Sequence, residues 1–90
     1  MRVTVEYFGP AREAAGVGSE TYDAACSVQA LIRRIAQERG GRLATLLLCD
    51  GKLSRSLLLS VNDRQVSTEE HTELHDSDVV TIIPPVSGGA

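Results

Sequence analysis

The sequence predicts an α+β fold, a roll in which a mixed sheet of about four to five strands is covered by one main helix. Two strand-like segments near the ends of the chain, residues 2–8 and 79–83, carry the β-branched composition of central strands. One amphipathic segment after Ser27 predicts the helix. Because both segments have the composition of a central strand, we expect them to be neighbours in the sheet that the apolar stripe of the helix covers.

The predicted main helix has clear start and stop signals. Ser27 is a good N-cap, and Cys26 before it can pack on Leu31 as a hydrophobic staple. Gly40 and Gly41 are expected to end the helix with a left-handed C-cap. Apolar residues follow the cap at helical spacing: Val28, Leu31, Ile32 and Ile35.

Shorter elements are predicted between these three segments. Gly9-Pro10 ends the first strand, residues 11–15 form a helical turn that Gly16 ends, and residues 18–23 form a second strand. Residues 42–56 have leucines at helical spacing and an Asp50-Gly51 turn. Residues 57–61 form a strand that Asn62-Asp63 turns into residues 65–66, and residues 67–78 form a polar loop anchored by Leu74.

The composition excludes several classes of function. The chain has 90 residues, enough for one domain, and a formal net charge of −3. Because phosphate binding needs a concentrated positive patch, nucleic acid is not expected as a partner. No stretch approaches the roughly 20 apolar residues that span a bilayer. Glu6 interrupts the apolar run that a signal peptide would need, so we expect a cytoplasmic protein that binds no membrane.

No motif for a metal site or for side-chain catalysis is present. Cys26 and Cys49 lie in no C-x-x-C pair, and His71 and His75 do not form an H-E-x-x-H motif. The acidic run of residues 69–73 is typical of a solvated loop. We therefore expect no bound metal, and we expect both cysteines to be small residues that are buried or half-buried.

The C-terminus is the unusual feature. Residues 1–86 are expected to form the folded body, and residues 87–90 a flexible Gly-Gly tail. Pro84 and Pro85 fix φ and would direct the chain away from the body. Gly88 and Gly89 have no Cβ, which suits a thin thread that enters another enzyme's active site. The pattern suggests a protein whose reactive group is its own terminal carboxylate.

Several segments resemble the small subunit of molybdopterin synthase, a member of the ubiquitin-like sulfur carriers. The resemblance is carried by residues 5–16 (VEYFGPAREAAG), residues 27–31 (SVQAL), Val61-Asn62, residues 74–79 (LHDSDV) and residues 83–89 (IPPVSGG). It is collinear over almost the whole chain, and the PPVSGG ending is its most specific part. It implies a β-grasp fold.

The resemblance also implies a mechanism and partners. An adenylyltransferase similar to ubiquitin-activating enzymes uses ATP to adenylate the carboxylate of Gly89, and sulfur then converts it to a thiocarboxylate. Gly88 and Ser87 thread the channel. The synthase large subunit, in a heterotetramer, supplies the catalytic side chains that pass the sulfur to the pyranopterin precursor. No tightly bound cofactor is implied for this chain, which is not expected to be an enzyme alone.

Strand alternation predicts where partners bind. With Val3, Val5 and Tyr7 facing inward, Phe8 points outward, and the same alternation exposes Leu58 and Ile83. These three side chains are expected to form an apolar partner-binding surface around the root of the tail. The root itself, Pro84, Pro85 and Val86, is expected to belong to the same surface.

Two alternatives and one departure from the family pattern remain open. The carrier could supply sulfur for thiazole, cysteine or tRNA thiolation. It could instead be a β-grasp interaction module without sulfur chemistry. Ala90 follows Gly89 and occupies the carboxylate that would be adenylated. Either a peptidase removes Ala90 and the form ending at Gly89 is active, or Ala90 is not part of the natural protein, or the chain is an inactive relative.

Overall fold

The first strand, β1 (Arg2–Tyr7), is an inner strand of the sheet. Its residues alternate between buried and more exposed positions, and Val3, Val5 and Tyr7 are buried. The computed structural model describes residues 2–23 and 27–85. Its elements are β1 (Arg2–Tyr7), α1 (Gly9–Ala15), β2 (Ser19–Asp23), α2 (Val28–Arg39), α3 (Gly41–Leu47), β3 (Leu48–Cys49), β4 (Lys52–Leu53), β5 (Leu58–Val61), β6 (Arg64–Val66) and β7 (Val79–Ile83).

Five of the strands form one mixed sheet in the order β2-β1-β7-β5-β6. β1 and β7 are parallel neighbours, with Val5 opposite Val80 and Tyr7 opposite Ile82. The other pairings in this sheet are antiparallel. The predicted adjacency of the first and last strands is therefore confirmed. The last strand, β7, is the middle strand of this sheet.

Helix α2 covers one face of this sheet, as the apolar spacing predicts. The Ser27 hydroxyl accepts a hydrogen bond from the Ala30 amide at 3.1 Å and caps the helix. Cys26, the predicted staple residue, lies outside the described residues. The apolar stripe is fully buried in one core with the inward side chains of β1 and β7: Val28, Leu31, Ile32 and Ile35.

The connection from α2 to α3 differs from the prediction. Gly40 has φ 59° and ψ −156°, which is outside the left-handed helical region expected for the C-cap. The chain turns sharply there, and Gly41 begins α3 at once. The leucines at helical spacing do form this helix, and Leu43 and Leu47 are buried. Because glycine can adopt this backbone conformation, α2 and α3 follow each other without a loop.

The start of α1 and the segment around Asp50-Gly51 also add detail to the prediction. Helix α1 begins at Gly9 and contains Pro10 in its first turn, where a missing amide costs no helical hydrogen bond. The predicted turn at Asp50-Gly51 joins two short strands, β3 and β4, into a hairpin. The predicted end of α1 at Gly16 is confirmed, and Gly16 has φ 78° and ψ 1°, in the left-handed helical region.

The polar loop before β7 is held against α2 by Gln29. Gln29 Nε2 donates to the Glu70 carbonyl at 2.5 Å, and its Oε1 accepts from the Thr72 amide at 3.1 Å. Leu74 is buried and anchors the loop as predicted. Within residues 2–23 and 27–85, no helix is long and apolar enough to cross a membrane.

Candidate functional site

Four large apolar side chains are exposed in the described part of the chain, and they lie in one row across the sheet. Leu58 on β5 pairs with Ile83 on β7. Phe8 follows β1, and its amide donates to the Ile82 carbonyl at 3.1 Å, which places Phe8 beside Ile83. The members of this apolar row are Val17, 41% exposed, Phe8, 44%, Ile83, 39%, and Leu58, 52%. The predicted outward orientation of Phe8, Leu58 and Ile83 is confirmed.

Val17, in the loop before β2, extends the apolar row toward the β2 edge of the sheet. The sequence analysis did not predict this residue. The Tyr7 amide donates to the Gly18 carbonyl at 2.9 Å, so the residue before Gly18 lies beside Phe8. Neighbouring strands are about 4.8 Å apart, so a row over four strands is about 14 Å long. Val17 stands between two glycines in a loop, where no alternation marks which face a side chain takes. The presence of an apolar residue between two glycines was the only sign in the sequence that this loop could contribute to an apolar surface.

The apolar row borders the point where the chain leaves β7. Pro85 is exposed there, but Pro84 is buried. The expectation that Pro84 belongs to the accessible contact surface is therefore wrong. The alternation of β7 continues one residue further than predicted, with Ile82 inward, Ile83 outward and Pro84 inward. The remaining predicted site residues, Val86, Ser87, Gly88 and Gly89, lie outside the described residues, as does Ala90.

A polar cluster that the sequence did not predict lies on the inner side of the sheet. Glu20 on β2 accepts hydrogen bonds from the Tyr7 hydroxyl and, at 3.2 Å, from the Tyr22 hydroxyl. Arg39 at the end of α2 forms an ion pair with the same carboxylate at 2.5 Å. This cluster fixes β1 and β2 to α2 directly behind the apolar row, since Tyr7 precedes Phe8 in the chain.

The cluster changes the acidity of its members in a consistent direction. Hydrogen bonding from Arg39 lowers the pKa of the Glu20 carboxyl, so Glu20 is a carboxylate. Burial, followed by the hydrogen bond to Glu20, raises the pKa of the Tyr7 phenol. Burial likewise raises the pKa of Tyr22. The phenols therefore remain neutral donors to a charged acceptor, which is a structural arrangement with no free base or nucleophile.

Asn62 and Asp78 lie next to the first residue of β7, at the end of the sheet away from the apolar row. Asn62 Nδ2 donates to Asp78 Oδ1 at 2.8 Å, and its Oδ1 accepts from the Val79 amide at 2.9 Å. The His75 amide donates to Asp78 Oδ2 at 2.8 Å. This amide, followed by Asn62, lowers the pKa of the Asp78 carboxyl. The contacts join the β5–β6 turn to the start of β7 and give a structural reason for two of the family-like motifs.

The remaining polar features do not form a reactive site in the described residues. A groove of about 950 Å³ lies between α2, the β3–β4 hairpin and the loop before β7, and it includes Cys49, Lys52 and His71. Cys49 is exposed and unpaired, so the prediction that it is buried or half-buried is wrong, and Cys26 lies outside the described residues. Within residues 2–23 and 27–85, no three His, Cys, Asp or Glu side chains are grouped closely enough to hold a metal ion. The expected absence of a bound metal stays a prediction.

Comparison with known proteins assigns a family to this arrangement. The family model described as the ThiS family matches residues 5–89. The chain belongs to the ThiS family. This membership makes it a ubiquitin-like sulfur-carrier protein by family and confirms the predicted β-grasp fold, a mixed sheet with helices against one face. The matched range reaches Gly89 and therefore includes both predicted tail glycines.

Individual relatives support the same assignment of this ThiS-family chain. It is 29% identical over 91 residues to the molybdopterin synthase sulfur carrier subunit of Chlamydomonas reinhardtii, covering 99% of this chain and 100% of that protein. Small archaeal modifier protein 1 of Methanosarcina acetivorans superposes with a TM-score of 0.81 at 28% identity, covering 98% and 96% of the two chains. A chain of the Amycolatopsis orientalis BexX/CysO complex gives a TM-score of 0.73 at 29% identity, covering 97% and 99%.

Proposed function

We propose that this protein is the sulfur carrier subunit of molybdopterin synthase and that Gly89 is its working residue. The observation that carries the proposal is the apolar row at the root of the tail. It supplies a surface by which larger enzymes can hold the body while the tail enters their active sites. The matched range through Gly89 and the similarity to the Chlamydomonas subunit support this choice.

The proposed chemistry takes place at the carboxylate of Gly89. A carboxylate oxygen attacks the α-phosphorus of ATP, and pyrophosphate leaves, so the poor leaving oxygen becomes part of an acyl-adenylate. The terminal sulfur of a persulfide then attacks the acyl carbon and forms a carbon–sulfur bond, while the acyl carbon–oxygen bond breaks and AMP leaves with that oxygen. A second thiol cleaves the resulting acyl disulfide and is itself oxidised to a disulfide, which leaves the thiocarboxylate on the carrier.

The body of the protein contributes binding and positioning to these steps. Gly88 and Gly89 add no side-chain width inside a channel, and Pro85 is exposed at the start of the tail. The adenylyltransferase and the synthase large subunit are proposed to supply the reactive side chains. The carrier is therefore not an enzyme alone, holds no tightly bound cofactor, and uses ATP only on the activating enzyme. We place all of these steps in the cytoplasm.

Ala90 must be removed before Gly89 can react. The carboxylate of Gly89 is engaged in the peptide bond to Ala90. We propose that a peptidase cleaves this bond and that only the form ending at Gly89 is active. Intact-mass measurement of protein from its native cells should show a species that lacks Ala90 and has sulfur in place of one oxygen. Persistence of Ala90 in cells that still make the cofactor would contradict this step.

The central experiment is ATP–pyrophosphate exchange with the activating enzyme of the same organism. The form ending at Gly89 should stimulate exchange, and the form that retains Ala90 should not. Gly89→Val in the shortened form should abolish exchange because a branched side chain does not fit a channel built for glycine, while its unfolding midpoint stays unchanged. A lack of exchange by the form ending at Gly89 would favour a plain interaction module.

A second sulfur pathway is the main competing function. The neighbour in the BexX/CysO complex is as similar in sequence as the Chlamydomonas subunit, at 29% in each case. Thiocarboxylated carrier should be mixed with the large subunit and the cyclic pyranopterin precursor. Formation of molybdopterin supports the proposal. Exchange without sulfur transfer to the precursor would instead favour delivery to thiazole, cysteine or tRNA.

A further inference from the structure

The open face of the sheet has a second row of side chains beside the apolar row, and it contains one charged residue, Glu6. The strand register gives this polar row directly, because each member is paired with the next. Val5 and Tyr7 are buried on the other face, so Glu6 lies on the same face as Phe8. The members in order across the sheet are Ser19, Glu6, Thr81, Ser60 and Gln65.

Glu6 differs from the other half-buried carboxylates of the protein. Glu20 is paired with Arg39, and Asp78 accepts hydrogen bonds from an amide and from Asn62. Glu6 is also half-buried, but its contact is one long hydrogen bond at 3.5 Å from the Thr81 hydroxyl. No cation lies within 4.0 Å of Glu6 among the residues that the structure describes.

A partner bound on the apolar row has to cover Glu6 as well. A stable interface buries about 800 Å² on each side. Four side chains that are 39% to 52% exposed supply only part of that area. Glu6 is two residues from Phe8 on the same strand face, a separation of about 7 Å. The interface therefore removes water from a carboxylate that has no cation of its own.

We propose that Glu6 is a specificity-determining residue and that it binds an arginine or lysine next to the apolar pocket of the activating enzyme. A partner without that cation would leave a covered, unpaired carboxylate, which is strongly unfavourable. A partner with the cation gains an ion pair at the edge of the apolar contact and faster association. Glu6 thus selects among enzymes that could all accept the apolar row. This inference depends on the proposed function.

The test compares Glu6→Gln with a matched control, Glu13→Gln, in the form ending at Gly89. Both substitutions remove one negative charge, and Glu13 is exposed on α1. The dissociation constant and association rate with the activating enzyme are measured at low and high sodium chloride, together with KM in ATP–pyrophosphate exchange. At low salt, Glu6→Gln should bind about tenfold more weakly than wild type, and Glu13→Gln should bind as wild type. The difference should shrink at high salt.

A second variant tests whether the charge of Glu6, and not the polarity of its neighbours in the row, determines the affinity. Thr81→Val removes the hydroxyl that contacts Glu6 but keeps the carboxylate, so it should bind as wild type. The inference is overturned if Glu6→Gln binds like Glu13→Gln, if its loss is independent of salt, or if Thr81→Val loses as much affinity. Exchange by the wild-type protein in those cases leaves the proposed function intact. If the wild-type protein ending at Gly89 supports no exchange, both the proposed function and this inference are overturned.

Discussion

Arg39 holds Glu20 by two hydrogen bonds, with Nε 2.8 Å from Oε2 and Nη2 2.5 Å from Oε1. Its third nitrogen, Nη1, donates to the carbonyl of Ala15 at 3.1 Å. One guanidinium therefore joins the ends of α1 and α2 to the edge strand β2. The two side chains are 30% and 22% exposed, so water screens the pair only in part.

Arg39→Ala should lower the free energy of unfolding by about 2 kcal/mol, because it leaves a partly buried carboxylate without its cation. The control is Arg55→Ala, which breaks the Arg55–Glu69 pair at 2.7 Å, with side chains 85% and 60% exposed. That exposed pair should contribute about 0.5 kcal/mol or less. Urea unfolding measures both variants, and equal losses would contradict the role given to Arg39.

The lowered pKa of Asp78 predicts a loss of stability in acid. Because the folded protein holds this carboxyl in its charged form, its contribution is complete above the unfolded pKa and is lost as pH falls through the folded pKa. Asp78→Asn should reduce stability at neutral pH by about 1–2 kcal/mol and make the acid-side decline less steep. The measurement is urea unfolding at a series of pH values.

Asp63→Asn is the matched control for this pH series. Asp63 is exposed in the β5–β6 turn with φ 69°, a conformation that asparagine also adopts readily. Its substitution should leave both the neutral stability and the acid-side slope unchanged. An acid-side slope for Asp78→Asn that equals that of wild type would show that the contacts of Asp78 do not act through its charge.

Leu58→Ala should weaken binding to the activating enzyme by about tenfold or more, since exposed apolar anchors near an interface centre dominate affinity. Because Leu58 is 52% exposed, the free energy of unfolding should change by no more than about 0.5–1 kcal/mol. Thr45→Ala, on the exposed side of α3, is the binding control. Surface plasmon resonance measures affinity, and wild-type affinity of Leu58→Ala would exclude the apolar row as the binding surface.

The two glycines that end helices should respond differently to substitution. A Cβ meets no atom within 4 Å at Gly16 or Gly40, so only backbone conformation separates them. Gly16 is in the left-handed helical region, which asparagine tolerates, so Gly16→Asn should cost under about 1 kcal/mol. Gly40 is in a region that is essentially restricted to glycine, so Gly40→Asn should cost about 1–3 kcal/mol more than Gly16→Asn. Thermal unfolding compares them, and equal costs would contradict this explanation.

The parts of the fold that depend on local periodicity could be predicted from the sequence. The alternation of β1 and β7 predicts the core face and the outward positions of Phe8, Leu58 and Ile83. The apolar spacing after Ser27 predicts the main helix. The antiparallel turn at Asn62 was likewise marked by its residue types.

The parts that depend on contacts between distant residues could not be predicted in the same way. Glu20 and Arg39 are 19 positions apart, and each alone has the composition of a surface residue. Glu6 becomes unusual only when the register shows Thr81 as its neighbour and no cation nearby among the described residues. Pro84 was assigned to the surface because strand ends are poorly defined by sequence.

The pairing of β1 with β7 joins two strands that lie far apart in the sequence. Thr4 lies opposite Val79, and its amide donates to the Asp78 carbonyl at 2.9 Å, so β1 completes its pairing only when a strand that is synthesised much later is present. Until β7 is in place, β1 and β5 lack the strand that separates them, and the apolar row cannot form. Under the proposed function, an activating enzyme therefore finds a complete binding surface only on chains in which β7 has paired with β1, and sulfur loading follows that pairing.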